Sequence, residues 1–190
     1  MAMSREQIMT AAIQHLNKDP SASVAQLAEA VGISRATLHR QFSNREELML
    51  ALARRGHDQW EQAQLAAGLD AATASGDRKT LEKALNDLLI GLIKIADEYG
   101  FGLTDHALAV HPELARRAEE LEAREIAFYT AAQRAGLLST ELPVRWISDV
   151  VYGLMVAVRE GLRRGDVARR DAPRLLLDTF ARGAVPRRES

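Results

Sequence analysis

The side chains best equipped for recognition chemistry lie close together: Ser34, Arg35, Ala36, Thr37, His39, Arg40 and Arg45, with no acid between Val31 and Arg45. Arginine can fork onto the O6 and N7 of guanine or onto a phosphate. Thr and His donate to phosphates or base edges, and small Ala36 permits close approach or touches a thymine methyl. These residue types suit double-stranded DNA. The plain alternative is that Arg35, His39 and Arg40 form the solvated face of a buried helix pair.

The flanking sequence says how such a cluster would be positioned. Val24, Leu27, Ala28 and Val31 recur on one helical face, and Gly32 supplies a residue able to take φ > 0 where that helix must stop. Ser34 is a good N-cap for a second helix, whose Leu38 and Phe42 point back to the same core while the cationic residues face outward. Two helices joined by a tight turn, the second cationic on its outer edge, describe a helix-turn-helix with its recognition helix second. Capping boxes are expected at Ser4 to Gln7, Ser23 to Gln26 and Ser43 to Glu46, so one device starts three helices. Arg45, in the first turn after the last of these, is placed to hold a phosphate beside the recognition helix.

The runs Ile8-x-x-Ala11-Ala12, Val24-x-x-Leu27-Ala28-x-x-Val31-Gly32-Ile33-Ser34, Thr37-Leu38 and Phe42-x-Asn44-Arg45-Glu46-Glu47-Leu48 resemble the N-terminal DNA-binding domain of the tetracycline-repressor (TetR) family of bacterial regulators. The resemblance covers about the first quarter of the chain in residue type, spacing and position. It implies an all-α fold: a three-helix DNA-binding domain over 1–47 and a larger helical effector-binding and dimerisation domain over 48–190. There are departures. His39 stands where the family usually has tyrosine, Arg45 replaces lysine and Leu16 replaces phenylalanine. The link from Asn17 to Ala22 is about two residues short, which bears on the tilt between the first two helices.

The chain has 190 residues, a formal net charge of −1, 47% apolar residues and no cysteine. That composition supports a packed core and excludes disulfides and thiolate metal sites. Near-zero net charge does not exclude DNA, because a small basic head can be offset by a neutral or acidic body. No signal pattern or membrane-length apolar run is present, so a cytoplasmic protein is expected.

Beyond the head, residues 44–67 read as one helix and 68–77 as a loop. Helices follow over 78–99, from Glu113 to a stop at Gly136, over 143–164 and over 171–183, with at most a short helix between Thr104 and Val110. The last two are apolar on more than one face and are expected to pair with their copies in a homodimer, an interface the family resemblance also implies. Tyr99, Phe101, His106, Phe128, Trp146, Asp149 and Tyr152, with Asp105, His111 and Tyr129, bring polar and aromatic groups among the apolar ones. Regulators of the resembled type commonly bind a small effector there, and aromatic walls with a few polar groups suit such a pocket. His106 and His111 are five apart, with Pro112 directly after the second, off the spacing for a shared helical metal site. No hydrolase, metalloprotease, P-loop or dinucleotide motif occurs, so neither catalysis nor a cofactor is expected.

The expectation is a homodimeric regulator, a repressor binding a near-palindromic operator and released by a small molecule. The alternative is a DNA-binding regulator controlled by a protein partner, which an empty or absent cavity would favour.

Overall fold

The structure is a computed structural model that describes residues 3–185, apart from the side chain of His106. Among the described residues there are ten helices and no strand: α1 (Arg5–Leu16), α2 (Val24–Val31), α3 (Arg35–Gln41), α4 (Arg45–Ala67), α5 (Leu69–Ser75), α6 (Arg78–Leu103), α7 (His106–Ala109), α8 (Pro112–Arg134), α9 (Val144–Arg164) and α10 (Ala172–Ala184). No helix is long and apolar enough to cross a membrane among those residues.

The first three helices form the reading head. Capping boxes at Ser4 and Ser23 start α1 and α2, and Gly32 ends α2 at φ 77°. Leu38 and Phe42 anchor the recognition helix in a core with Ile8, Leu16, Leu27 and Leu48. That core extends past residue 47. Met49 and Leu52 of α4 belong to it, as do Tyr99 and Phe101 of α6, Leu108 of α7 and Leu114 of α8.

The start of α4 differs from expectation by one residue. Asn44 is the N-cap, accepting from the Glu47 amide at 2.8 Å, while the Glu47 carboxylate takes the Ser43 amide and hydroxyl, each at 2.7 Å. Phe42 and Asn44 are both extended, so the chain crosses from the α3 anchor to the Leu48 anchor before it coils again. With 23 residues, α4 is about 35 Å long and joins the head to the body.

Two other boundaries also differ. The segment expected as a loop over 68–77 contains α5, held between Gly68 (φ 70°) and Gly76 (φ 62°). Leu69 and Ala72, three apart, bury its inner face against the body. Gly100 and Gly102 do not end α6, which continues to Leu103 through a kink at Tyr99.

The body core gathers Leu81, Leu85, Leu88, Leu89 and Leu92 of α6, Phe128 and Tyr129 of α8, Ile147, Val151 and Met155 of α9, and Leu176 and Phe180 of α10. The outer edges of α9 and α10 keep apolar groups at the surface. Trp146 is 56% exposed and Leu175 39% exposed, and exposed Gly153 and Ala157 continue the Trp146 edge at helical spacing.

Candidate nucleic-acid interface and cavity

On α3 the structure exposes Ser34, Arg35, Ala36, His39 and Arg40 and half-buries Thr37. Ser34 accepts the Thr37 amide at 3.1 Å and shares a 2.9 Å hydrogen bond with its hydroxyl, so the N-terminal turn is pinned by its own side chains. His39 Nδ1 lies 3.0 Å from the Ser43 carbonyl and must donate to it.

Arg45, expected to hold a phosphate, is hydrogen-bonded within the protein. Its guanidinium is turned to the link between α1 and α2, where Nε donates to the Ala22 carbonyl at 3.1 Å and a terminal nitrogen donates to the Pro20 carbonyl at 2.7 Å. Asp19 completes the link by accepting the Ser21 amide and hydroxyl, which hold its carboxyl below the usual range. The short link is thus fastened from α4 through Arg45.

Arg5 was not singled out in the sequence, yet it ties the end of the recognition helix to α1. Its guanidinium carbon sits 4.1 Å above the centre of the Phe42 ring, and the group also donates to the Gln41 carbonyl and to Glu47. Ser43 and Arg5 together hold the Glu47 carboxyl below its ordinary range.

In the body, α4, α6, α7, α8 and α9 enclose a cavity of about 410 Å³, a size suited to a drug-sized molecule. Of the residues expected there, Tyr99, Phe101, Asp149 and Tyr152 line it. Phe128 does not; it is fully buried edge-on against Tyr129 in the body core, with ring centres 5.7 Å apart. Trp146 does not either, because it lies about 240° of helical rotation from Tyr152, on the outer edge of α9. The side chain of His106 is outside the described residues.

Among the lining groups that the sequence reading did not expect there are His57, Trp60, Glu122 and Glu125. Glu125 is a buried carboxylate with three donors. Trp60 Nε1 reaches Oε1 at 2.5 Å, Gln64 Nε2 the same oxygen at 2.9 Å, and the Tyr129 hydroxyl Oε2 at 3.2 Å. Burial pushes the Glu125 carboxyl up, against the lowering effect of Gln64, Trp60 and Tyr129. Burial also pushes the His57 imidazole down, so it stays neutral, and its buried Nδ1 has no partner in the protein. Glu122 and Asp149 add carboxylates to the lining, the former 3.5 Å from Arg145. None of the described lining residues is Lys or Arg. The arrangement offers ring faces, a neutral imidazole and negative charge, which together favour an aromatic cation.

Residues 8–52 match the family model of bacterial regulatory proteins of the tetR family. The HTH-type transcriptional repressor LfrR of Mycolicibacterium smegmatis is 30% identical over 167 residues, covering 85% of this chain and 80% of that protein. The chain belongs to the tetR family. It is also 29% identical over 168 residues to the HTH-type transcriptional regulator NfxB of Pseudomonas aeruginosa, covering 87% of this chain and 86% of that one. The fold of this tetR-family chain is shared with the crystal structure of LfrR from Mycobacterium smegmatis in complex with proflavine, at a TM-score of 0.73 and 24% identity over 96% of this chain and 97% of that one. It is shared too with the ketosteroid transcriptional regulator KstR2 of Mycobacterium tuberculosis, at 0.76 and 15% over 98% and 97%. These relatives are transcription regulators, not enzymes, and tetR-family regulators bind DNA operators as dimers.

Proposed function

We propose that this DNA-binding regulator is a cytoplasmic repressor, homodimeric through α9 and α10, that is released from a near-palindromic operator when an aromatic cation enters the body cavity. Arg35, Ala36, Thr37, His39 and Arg40 are the groups that meet the DNA. The observation that carries the effector reading is the cavity lining: Trp60, Tyr99, Phe101 and Tyr152 beside Glu125, Glu122 and Asp149, with no described cationic residue among them. Proflavine, bound by LfrR, belongs to this chemical class.

The two reading heads of a dimer must sit about 34–36 Å apart to enter successive major grooves on one side of a duplex. A ligand that separates α4 from α6 and α8 tilts the 23-residue α4 and moves each head with it. A clean switch from 1:99 to 99:1 requires about 5.5 kcal/mol of preference for the DNA-incompetent shape.

The test begins by selecting the operator from a random DNA pool. Arg35→Ala and Arg40→Ala are each expected to cost about 1–3 kcal/mol and to relax specificity at one position. Operator affinity untouched by both changes contradicts the proposed interface. Intact operator binding that ignores aromatic cations points instead to control by a protein partner.

A further inference from the structure

The kink in α6 is occupied by a side chain of the reading head. Tyr99, with φ −113° and ψ 17°, leaves the helical region inside an otherwise continuous helix. One cause of such kinks is a polar side chain inserted into the ladder of backbone hydrogen bonds. Here it is the carboxamide of Asn17, the C-cap of α1. Its Nδ2 donates to the carbonyls of Asp97 at 3.1 Å and Glu98 at 2.8 Å, and its Oδ1 accepts from the Phe101 amide at 3.3 Å. The Asp97 carbonyl and Phe101 amide are the acceptor and donor that face each other in an uninterrupted α-helix.

We propose that Asn17 is a positioning residue that couples the body cavity to the recognition helix by holding this kink open. The inference rests on the effector reading above. Tyr99 and Phe101 belong to both places, since they line the cavity and are buried in the core of the head. A molecule that displaces those two rings reshapes the kink, and Asn17 carries the change into α1 and the helices packed on it. The far side of the kink is held as well. A Cβ at Gly100 would lie 2.6 Å from Arg159 Cγ, so the stem of this α9 arginine rests directly on the bend, and its guanidinium reaches the Thr104 hydroxyl at 3.4 Å.

A carboxamide suits the task because it presents a donor and an acceptor in one plane, as a peptide unit does; aspartate keeps only acceptors and alanine neither. If α6 straightens, Phe101 and Asp97 pair with each other and Asn17 loses both. The two arrangements exclude one another, which makes the kink a two-state element rather than a spring.

The test compares the full-length protein with Asn17→Ala and Asn17→Asp, using tetraphenylphosphonium as an aromatic cation too bulky to intercalate in DNA. Both variants are expected to melt cooperatively and to bind tetraphenylphosphonium within about twofold of the parent, whereas its effect on operator affinity falls from at least about tenfold to under about threefold. A variant that keeps the parental ratio overturns the proposal. A parent that does not bind the cation refutes the effector class instead, and the coupling is then read without ligand. The chain has no cysteine, so a spin label at Glu29→Cys reports the distance between the two heads of a dimer. Asn17→Ala should shift or broaden that distance distribution, and a superimposable one overturns the proposal.

Discussion

Arg45 and Glu125 each sit where two roles compete. Two of the Arg45 nitrogens face carbonyls of the α1–α2 link. Arg45→Met should therefore lower stability by about 1–2 kcal/mol through lost charge-assisted hydrogen bonds. It should leave the salt dependence of operator binding unchanged, whereas losing a phosphate contact would reduce the log–log slope by about 0.9. Salt titrations of the two proteins settle which holds. For Glu125 the sign runs opposite to that of an ion-paired carboxylate. Its folded-state pKa is raised by burial, so the folded protein holds the proton more tightly than the unfolded chain. Acidification through that raised pKa stabilises the fold, and ionisation on the alkaline side costs stability. Glu125→Gln should raise the melting temperature at neutral pH, flatten its pH dependence and weaken an aromatic cation about tenfold or more, which is about 1.4 kcal/mol. Unchanged cation affinity would remove Glu125 from the binding site.

Among the elements, the recognition helix was legible because its signals are local. Gly32, the Ser34 cap and the Leu38–Phe42 anchor lie within one short stretch, and each appears where the spacing puts it. What tunes α3 is not local. Arg5 reaches it from 36 residues away in sequence, and no periodicity announces that contact. The cavity was half legible for a related reason. Aromatic residues on α6 and α9 stood out, whereas Glu125 was hidden in the charged run from Arg116 to Glu125, although Leu121, Glu125, Phe128 and Tyr129 share one helical face. Trp60 and Gln64, one turn apart on α4, carried the matching signal. The α5 helix was missed because two glycines and small polar residues look like a loop until Leu69 and Ala72 find the core. At this scale the depressed Glu47 carboxyl makes a prediction. Its contribution is complete above the unfolded carboxylate range and is lost as pH falls through the lowered folded value. Acid below the ordinary carboxylate range should therefore lower the amide protection factor at the Ser43 end of α3 in the parent, and Glu47→Gln should show that lower protection already at neutral pH. Parental protection in the variant would mean that Glu47 does not hold this end.

For the whole molecule, the head and body share buried residues instead of meeting as separate units. Tyr99, Phe101, Leu108 and Leu114 are packed in the head core, and all four also line the cavity. A molecule in the cavity thus touches the same side chains that support the head. The exposed edge bearing Trp146, Gly153 and Ala157 is where the proposed dimer would form, and Ala157→Glu is expected to give a monomer that retains its helix content and loses operator affinity by more than about tenfold, since only one half-site is then engaged. Sedimentation would check it, and a variant that stays dimeric places the interface elsewhere. The central claim, that an aromatic cation in the cavity and operator DNA exclude one another, is tested most directly by measuring operator affinity at fixed salt across a titration with tetraphenylphosphonium, alongside its affinity for the protein with and without operator. Operator affinity should fall at least about tenfold at saturation, and the cation should bind more weakly by the same factor when operator is present, because coupling is reciprocal. A cation that binds the protein and leaves operator affinity unchanged would contradict the account.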